Sequence, residues 1–411
     1  MKKIVWYILL GWPLFLAGQP AVCDFDYKYV LNTSNPSYRN FLEQVSDDSH
    51  GTDIRPRSVR YIPVIIHVVA TSAFQPLSRA QVLQQLDVLN ADFAGEGENR
   101  NDLPSEFEAI ASGVNIQFCL ADTDPSGQPS EGMTFTHTDI SNIALQTGVG
   151  GRMAIHYDQL GGKTGWDPET YLNIWVGEYG DILGSASFPG MAPYTEEIGV
   201  VIDIRHFGSI GDAGASGFYG RGHTLTHEMG HFFGLKHIWG QGLDYICEDS
   251  DDIDDTPNAS GPYYNCPSGV QRSCDASNMY QNFMDLTDDR CLAAFTRDQA
   301  AKMESVLASY YPFLSSADGC HQATAPFDAW YDALYWSYDA ISKSVVIYSE
   351  LLITGSNKSV RVYSADGRIL HSGIWENQWS YQIPLNNAGV GVYFVQISDG
   401  SHKEVYKIPV Y

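Results

Sequence analysis

The chain has 411 residues, of which 49 are acidic and 24 are basic, so its formal net charge at pH 7 is −25. This length leaves room for two or more domains and a sizeable core. The acidic balance argues against nucleic acid or an anionic membrane as a partner, because both attract basic surfaces.

The first 23 residues have the pattern of a signal peptide. Two lysines precede an apolar run over residues 4–17, and small residues follow it. The run is interrupted and too short for a comfortable membrane span. Cys23 leaves a lipoprotein as an alternative, although Val22 before it fits a lipid-attachment site poorly. An exported chain can keep disulfides, and six further cysteines are available for pairing.

Residues 24–57 are polar and have little periodicity, which favours a short pro-segment. The basic sequence RPRSVR at its end has the character of a processing site.

From residue 61 the pattern becomes globular. YIPVIIHVV at residues 61–69 predicts a buried strand, in which His67 is more often a core residue than a ligand. Ser78 opens a helix with Gln81 as its capping-box partner. Residues 148–165 are rich in glycine and predict surface loops. Further strands are predicted at residues 114–120, 171–176 and 198–204. This order favours an α/β or α+β unit with a mostly parallel, twisted sheet.

The sequence HEMGHFFGLKH at residues 227–237 has the spacing of a metal site. His227 and His231 are four residues apart, so on a helix both imidazoles project from one face. Gly234 lets the helix end, because glycine adopts the left-handed conformation cheaply, and His237 then returns as a third ligand. Three ligands leave zinc an open position for water. Glu228 lies where a general base would hold that water.

A run of acidic residues follows, in EDSDDIDDTPN at residues 248–258. Such a run repels itself unless it is neutralised. Cysteines on both sides indicate an ordered loop, and oxygen-rich loops order around calcium, although the spacing is not that of an EF-hand. A solvated acidic loop is the alternative.

Two features close this unit. Met284 lies in QNFMDLTDDRC, and by itself a lone methionine is more often a core residue. Thr296 then starts a helix with Gln299 as its capping-box partner, and the unit should end near Cys320.

Residues 334–411 alternate short strands with turn signals such as Asp366-Gly367, which predicts a small all-β sandwich. A carbohydrate-binding module is an alternative for this part, with Trp375 and Trp379 stacking on sugar, although core packing is the simpler interpretation.

Three stretches together resemble the pappalysin family of metzincin metalloproteases, and more closely its compact microbial members. They are HEMGHFFGLKH, DDIDDTP with its flanking cysteines, and NFMDLTDDRC followed by FTRDQAAKM. The likeness covers about residues 61–320. It implies an α/β metzincin-like catalytic domain with a twisted mixed sheet, an active-site helix and a C-terminal helix.

The resemblance also implies roles for individual residues, in three groups. The zinc site would consist of the ligands His227, His231 and His237, the general base and acid Glu228, and the Met-turn residue Met284. The calcium ligands would be Asp251, Asp254 and Thr256. The disulfides would join Cys247 with Cys274 and Cys266 with Cys291, and a third bridge between Cys119 and Cys320 is a hypothesis.

The chain departs from the family in two places. Close relatives have a tyrosine two residues after the Met-turn methionine, where it can support the transition state, and here that residue is Leu286. Arg290, beside Asp288 and Asp289, lies in the segment that borders the pocket for the residue after the scissile bond. A preference for Arg or Lys in that pocket is therefore in doubt.

Latency is the third point of comparison. Pro-segments of metalloproteases can silence the enzyme by placing a cysteine or a carboxylate on zinc. Residues 24–57 contain no cysteine, so the cysteine switch of some relatives is expected to be absent, and Asp24 or Asp26 is the remaining candidate.

The C-terminal part resembles the sorting domains of the type nine (Por) secretion system in Bacteroidetes, through SADGRIL, GVYFVQI and the closing YKIPVY. The usual Asn-Pro near the domain start is missing. The resemblance implies passage through the periplasm and the outer membrane, the outer-membrane secretion machinery as a partner, and removal of the sorting domain.

The sequence therefore predicts a signal peptide (1–23), a pro-segment (24–57), a zinc metalloprotease domain (58–322) and a β-sandwich sorting domain (323–411). The predicted function is that of a secreted or cell-surface endopeptidase, which hydrolyses proteins through a zinc-bound water activated by Glu228. The alternative is a non-catalytic cell-surface binding or adhesion protein in which zinc and calcium are structural.

Overall fold

The computed structural model describes Cys23, most of residues 59–314 and seven strands of the C-terminal part. The described segments are residues 59–74, 77–209, 217–240, 246–314, 334–339, 344–349, 358–375, 380–384, 391–398 and 403–410. No helix in these segments is long and apolar enough to cross a membrane. Residues 1–22, residues 24–57 and Cys320 lie outside the described residues, so the signal peptide expected at residues 1–23 and the other predictions made for these residues stay predictions.

Four α-helices and ten strands make up the described part of the chain before residue 314. The helices are α1 Arg79–Ala94, α2 Ser105–Glu108, α3 His223–Phe232 and α4 Arg297–Ser309. The strands are β1 Arg60–Ala70, β2 Ala111–Ser112, β3 Ile116–Leu120, β4 Met133–His137, β5 Leu172–Gly177, β6 Gly184–Ala186, β7 Val200–Asp203, β8 Gln271–Ser273, β9 Ala276–Asn278 and β10 Phe295–Thr296.

A mixed six-stranded sheet lies at the centre, in the order β3-β1-β5-β7-β6, with β4 pairing with the second half of β1. All pairings in it are parallel except that of β6, which runs antiparallel to β7 at the edge. The buried run predicted at residues 61–69 becomes β1, because a strand covered on both faces is apolar throughout. The other three predicted strands are confirmed as β3, β5 and β7, two of them shorter than expected.

Both predicted capping boxes are confirmed. The Ser78 side chain accepts from the Gln81 backbone N–H, and the Gln81 side chain accepts from the Ser78 N–H. Thr296 and Gln299 do the same at the start of α4. Helices α1 and α3 cover one face of the sheet, where alternate residues of β1 and β5 form the main core.

The prediction of surface loops at residues 148–165 is only partly correct. The segment forms three short 3-10 turns, and Ala154 and Ile155 are buried against Trp175 in a second core. Trp175 lies between Ile174 and Val176 on β5, so its ring points to the face opposite the main core. Because the segment is rich in glycine, its sequence pattern did not indicate the short apolar stretch that covers this second face.

The C-terminal part is all-β in the segments described. One antiparallel sheet contains β11 Leu334–Asp339, β12 Ser344–Ser349 and β15 Ser380–Pro384. A second contains β13 Lys358–Ser364, β14 Ile369–Trp375, β16 Gly391–Ser398 and β17 Lys403–Val410. Trp375 is fully buried, so it is a core residue and not a platform for sugar, and Trp379 lies outside the described residues. The sandwich packing and the boundary at residue 323 stay predictions.

Candidate metal centre

Helix α3 carries His227 and His231 and is buried along its whole length. It ends in a Schellman motif, in which the Leu235 N–H donates to the Gly230 carbonyl (2.9 Å) and the Gly234 N–H to the His231 carbonyl (3.0 Å). Gly234 has φ 87°, the left-handed conformation expected from the sequence. This turn reverses the chain and brings residue 237 back towards the helix.

The three histidines converge. Nε2 of His231 lies 3.1 Å from Nε2 of His227 and 3.2 Å from Nε2 of His237. Two nitrogens bound tetrahedrally to zinc at about 2.0–2.1 Å would be about 3.3 Å apart. All three imidazoles are buried. The donor type and the spacing therefore fit a zinc ion.

Backbone carbonyls orient two of the rings. The Nδ1–H of His227 donates to the Phe283 carbonyl (2.7 Å), and that of His231 donates to the Leu235 carbonyl (2.8 Å), which leaves both Nε2 atoms for the metal. Burial and the neighbouring His237 lower the pKa of His227 to about 3, and burial lowers the pKa of His231 well below its usual range. Both rings are thus neutral, the form that binds metal.

Met284 packs directly beneath helix α3. A methyl group added at Gly230 would lie 2.3 Å from the Met284 sulfur, so the sulfur can approach only because this residue is glycine. The Met284 N–H donates to the Asn282 side chain (2.9 Å), whose amide exchanges two hydrogen bonds with Gln299 (2.8 and 3.1 Å). The capping residue of α4 therefore also fixes the turn that contains Met284.

Glu228 is fully buried beneath the edge strand β6. A Cβ atom at Gly184 would lie 2.8 Å from Cγ of Glu228 and 3.1 Å from its Oε1. The backbone of β6 therefore passes over the carboxylate at a distance that only glycine allows. Glu228 and His227 line the same cleft.

Cys23 supplies a fourth metal-binding group. Its sulfur and the three histidine nitrogens all lie within 4.8 Å of one another, and its backbone forms a parallel bridge with Gly184. Within the described residues this is the one group of three or more His, Cys, Asp or Glu side chains that could share an ion. The expectation that a cysteine switch is absent considered only residues 24–57, whereas the structure places the thiol of Cys23 among the histidines. The sequence pattern had assigned Cys23 to the signal peptide because it directly follows the apolar run.

A narrow cleft opens beside His227 and Glu228. Its other lining residues are Tyr219, His223, Thr224, Asp285, Thr287, Asp289 and Leu292. Arg290 is outside this lining, because its side chain is exposed and pairs with Asp288 at 3.3 Å. Leu286 is buried in the main core. The sequence reasoning had not identified Tyr219, which precedes the motif by eight residues and carries no local signal.

His223 forms a buried ion pair at the start of helix α3. Its Nδ1 lies 2.9 Å from Oδ2 of Asp92 on α1, and its Nε2 lies 3.8 Å from Glu98. Burial alone would lower the pKa of His223, but the charge of Asp92, its hydrogen bond with the ring and the nearby Glu98 raise it to about 10. The Thr226 hydroxyl also donates to Asp92 (2.6 Å). These bonds fix the helix that carries His227.

One disulfide spans the acidic loop, and a second follows it in the chain. Cys247 is bonded to Cys274 and Cys266 to Cys291, with Cα–Cα distances of 5.3 and 5.7 Å. These are the pairs that the resemblance implies. Cys119 is also disulfide-bonded, and the partner predicted for it, Cys320, lies outside the described residues.

The acidic loop itself is ordered. Asp251 and Thr256 are buried, whereas Asp254 is exposed. Among the described residues, Oδ2 of Asp251 and Oδ1 of Asp255 are buried without a hydrogen-bond partner. Burial raises the pKa of Asp251 to about 8. A bound cation would satisfy these oxygens, and Asp255 is a candidate ligand that the sequence analysis did not select.

Comparison with known proteins identifies the two parts of the chain. The pappalysin family model, described as Pregnancy-associated plasma protein-A, matches residues 157–308. The model of the secretion system C-terminal sorting domain matches residues 342–411. An extracellular metalloprotease of Pyricularia oryzae is 30% identical over 273 residues, which cover 64% of this chain and 80% of that protein.

Solved structures agree with this assignment. Mature mirolysin of Tannerella forsythia, in complex with a cleaved peptide, is 36% identical, with a TM-score of 0.58 over 63% of this chain and 97% of that one. A promirolysin mutant from the same organism is 31% identical, with a TM-score of 0.62 over 72% of this chain and 97% of that one. These relatives share the mixed sheet with few helices. The chain belongs to the pappalysin family of metalloendopeptidases and carries a secretion-system C-terminal sorting domain.

Proposed function

We propose that the chain is a secreted zinc endopeptidase in which His227, His231 and His237 bind zinc and Glu228 is the general base. The observation that carries this proposal is the convergence of the imidazole nitrogens at 3.1 and 3.2 Å, with Glu228 buried and lining the same cleft as His227. The family is one of metalloendopeptidases, so peptide bonds are the substrate class. The alternative of a non-catalytic adhesion protein is therefore not retained.

When bound, zinc supplies a Lewis acid that polarises the scissile carbonyl and acidifies a water molecule. Glu228 takes the proton from that water and returns it to the leaving amine. Its place beneath β6 keeps the carboxylate close to the point where the peptide must lie. Because a water molecule is the nucleophile, the chain needs no reactive serine or cysteine.

The test is the variant Glu228→Ala in the processed protein. A diverse peptide mixture is incubated with each protein, with and without a zinc chelator, and the cut sites are read by mass spectrometry. We expect Glu228→Ala to keep its zinc and its fold while cleavage collapses, and the exposed Glu131→Ala to behave like the wild type. Cleavage by Glu228→Ala would overturn the assignment of the base.

We further propose that Cys23 keeps the unprocessed chain inactive. A cysteine thiolate is a good zinc ligand, and here it would fill the position needed by water. The position of its sulfur among the histidine nitrogens supports this role. The signal peptide would then be cleaved before Cys23, rather than after it.

A matched pair of variants separates this mechanism from carboxylate latency. In the unprocessed chain, Cys23→Ser should release peptide cleavage, because serine binds zinc weakly, whereas Asp26→Asn should leave the chain latent. Activation by Asp26→Asn with latency retained in Cys23→Ser would instead assign the switch to the carboxylate.

Calcium is the second proposed cofactor, with a structural role. The buried oxygens of Asp251 and Asp255 support a cation in the acidic loop, together with Thr256. Calcium prefers such carboxylate and carbonyl oxygens. The exposed position of Asp254 makes it the weakest of the ligands predicted from the sequence.

The sorting domain and the extracellular relatives indicate a secreted or cell-surface protein. We propose the route in more detail: a signal peptide directs export into the periplasm, and the sorting domain engages the type nine secretion machinery of the outer membrane. Deletion of residues 342–411 should leave the protein in the periplasm, which fractionation of the cells would show.

A further inference from the structure

A second cavity lies at the C-terminal end of the edge strand β6. Its volume is about 270 Å³. The apolar part of its wall is formed by Met153, Phe188, Met191, Pro193 and Val201. For comparison, an apolar protein cavity of about 150 Å³ holds a benzene ring. The cavity is therefore large enough for a leucine, methionine or phenylalanine side chain.

The serine and glutamate side chains of the wall are already engaged with the protein, and the buried ring of His156 packs edge-on against Trp175, with 4.3 Å between the ring centroids. The Ser185 hydroxyl shares a hydrogen bond with the Tyr179 hydroxyl at 2.8 Å. The Ser187 hydroxyl donates to the Gly199 carbonyl (3.1 Å) and accepts from the Gly199 N–H (2.8 Å). A ligand in this cavity would therefore contact mainly apolar surface.

Glu197, the acidic residue of the wall, is likewise held by the protein. Its Oε1 accepts from the Met153 N–H and the Tyr157 hydroxyl, both at 3.1 Å. The two methionine side chains of the wall, Met153 and Met191, are flexible and can adapt to apolar groups of different shape. A bulky apolar side chain is therefore the ligand that this cavity fits.

Strand β6 connects the cavity to the catalytic residues. Gly184 at its start lies over Glu228, and Ala186 at its end lines the cavity. Two residues of a strand span about 6.5 Å, so an extended peptide bound along β6 would reach both places. In the described part of the chain, β6 has a strand partner only on its β7 side, and the backbone of Cys23 bridges to it at Gly184. The strand therefore already accepts an extended chain next to Glu228.

The direction of the peptide decides which of its residues reaches the cavity. Antiparallel pairing is the commoner arrangement and the more stable per residue. A peptide antiparallel to β6 runs from Ala186 towards Gly184, so the residues before its scissile bond lie at the cavity. Cys23 pairs in the parallel direction, opposite to that of such a substrate.

We propose that this cavity is a specificity subsite that binds a bulky apolar side chain of the substrate, two or three residues before the scissile bond. The proposal rests on the endopeptidase function proposed above. It adds a determinant of specificity outside the cleft that Asp289 lines.

The test uses processed protein and peptide series that differ only at these two positions. The wild type should cleave peptides with Leu, Met or Phe there at least about tenfold more efficiently, in kcat/KM, than peptides with Gly or Asp. Ala192 lines the cavity and is only partly buried, so Ala192→Trp should fill it and bring this ratio close to one. The matched control Ala192→Ser should keep the wild-type ratio.

Met153→Ala provides a second variant that does not depend on accommodating a tryptophan. It should widen the cavity and shift the preference from leucine towards phenylalanine and tryptophan. A wild type that cleaves peptides but has no preference at these positions, or an unchanged preference in both Ala192→Trp and Met153→Ala, would overturn the subsite. Failure of the proposed function is detected separately. A processed wild type that cuts nothing would contradict the endopeptidase function, and a Glu228→Ala variant that still cuts would contradict the assignment of the base.

Discussion

Replacing Gly230 by alanine tests how the metal-binding helix is fitted to the turn that contains Met284. The added methyl carbon would lie 2.3 Å from the sulfur and 3.1 Å from the terminal methyl of Met284. Non-bonded carbon atoms pack at about 3.5–4.0 Å, so the methionine must move by roughly 1 Å or more. Met284 is fully buried, which leaves it little room to do so.

The expected cost in stability is modest. Overpacking a core costs about 1–3 kcal/mol, and alanine regains about 1 kcal/mol over glycine in a helix interior. The net loss is about 1 kcal/mol, or a fall of about 2–4 °C in the thermal midpoint. The effect on cleavage should be larger, because Gly230 directly precedes His231, and a displacement of about 1 Å in a catalytic site can lower the rate about a hundredfold.

Thermal unfolding and peptide cleavage by the processed protein measure the two effects. The double variant Gly230→Ala/Met284→Ala should unfold at a higher temperature than the two single losses predict, because the added methyl enters the space that the methionine vacates. If Gly230→Ala instead unfolds at a higher temperature than the wild type and cleaves at the same rate, helix propensity alone governs this position. The packing argument would then be refuted.

Three further predictions concern the surroundings of the site. His223→Gln should be less stable than the wild type below pH 6.5, and this difference should shrink as the pH rises towards 10, because folding raises the pKa of His223 to about 10. Urea unfolding measures the difference, and a difference that does not change with pH would contradict the buried ion pair. Replacing Cys247 and Cys274 together by alanine removes a cross-link between residues 27 apart in sequence and should lower the free energy of unfolding by about 3.5 kcal/mol. An unchanged thermal midpoint would contradict this. Calcium at about a hundred times its Kd should raise the free energy of unfolding of the wild type by about 2.7 kcal/mol, whereas the increase in Asp251→Asn should be small. An equal increase in both proteins would place the ion elsewhere.

Helix α3 and the turn that brings His237 back towards it could be predicted, because the residues that indicate them are close together in sequence. The four-residue histidine spacing, the left-handed Gly234 and the third histidine all lie within residues 227–237, and the structure brings these side chains together. The two capping boxes were predictable for the same reason, since a cap and its partner are three residues apart.

Contacts between distant parts of the chain were not predictable. His223 and Asp92 are 131 residues apart, and neither has a neighbour that indicates a buried ion pair. Cys23 reaches the histidines only because β6 forms the edge of the sheet and presents Gly184 to an extended chain. Its assignment to the signal peptide followed from the apolar run before it, which gives no information about that edge.

The direction of side chains in irregular loops was also not predictable. Arg290 is next to two acidic residues in sequence, but it points to solvent and pairs with Asp288 instead of lining the cleft. In the acidic loop, Asp254 is exposed, while Asp255 places an oxygen in the interior. In an irregular loop no fixed period tells which of two adjacent carboxylates faces inwards.

X-ray diffraction from crystals of the processed protein at the zinc absorption edge would test the central claim most directly. We predict one anomalous peak, about 2.0–2.1 Å from Nε2 of each of His227, His231 and His237, with water in the fourth position and Glu228 in contact with that water. A peak away from these nitrogens, or an ion enclosed by a fourth protein ligand after processing, would contradict it.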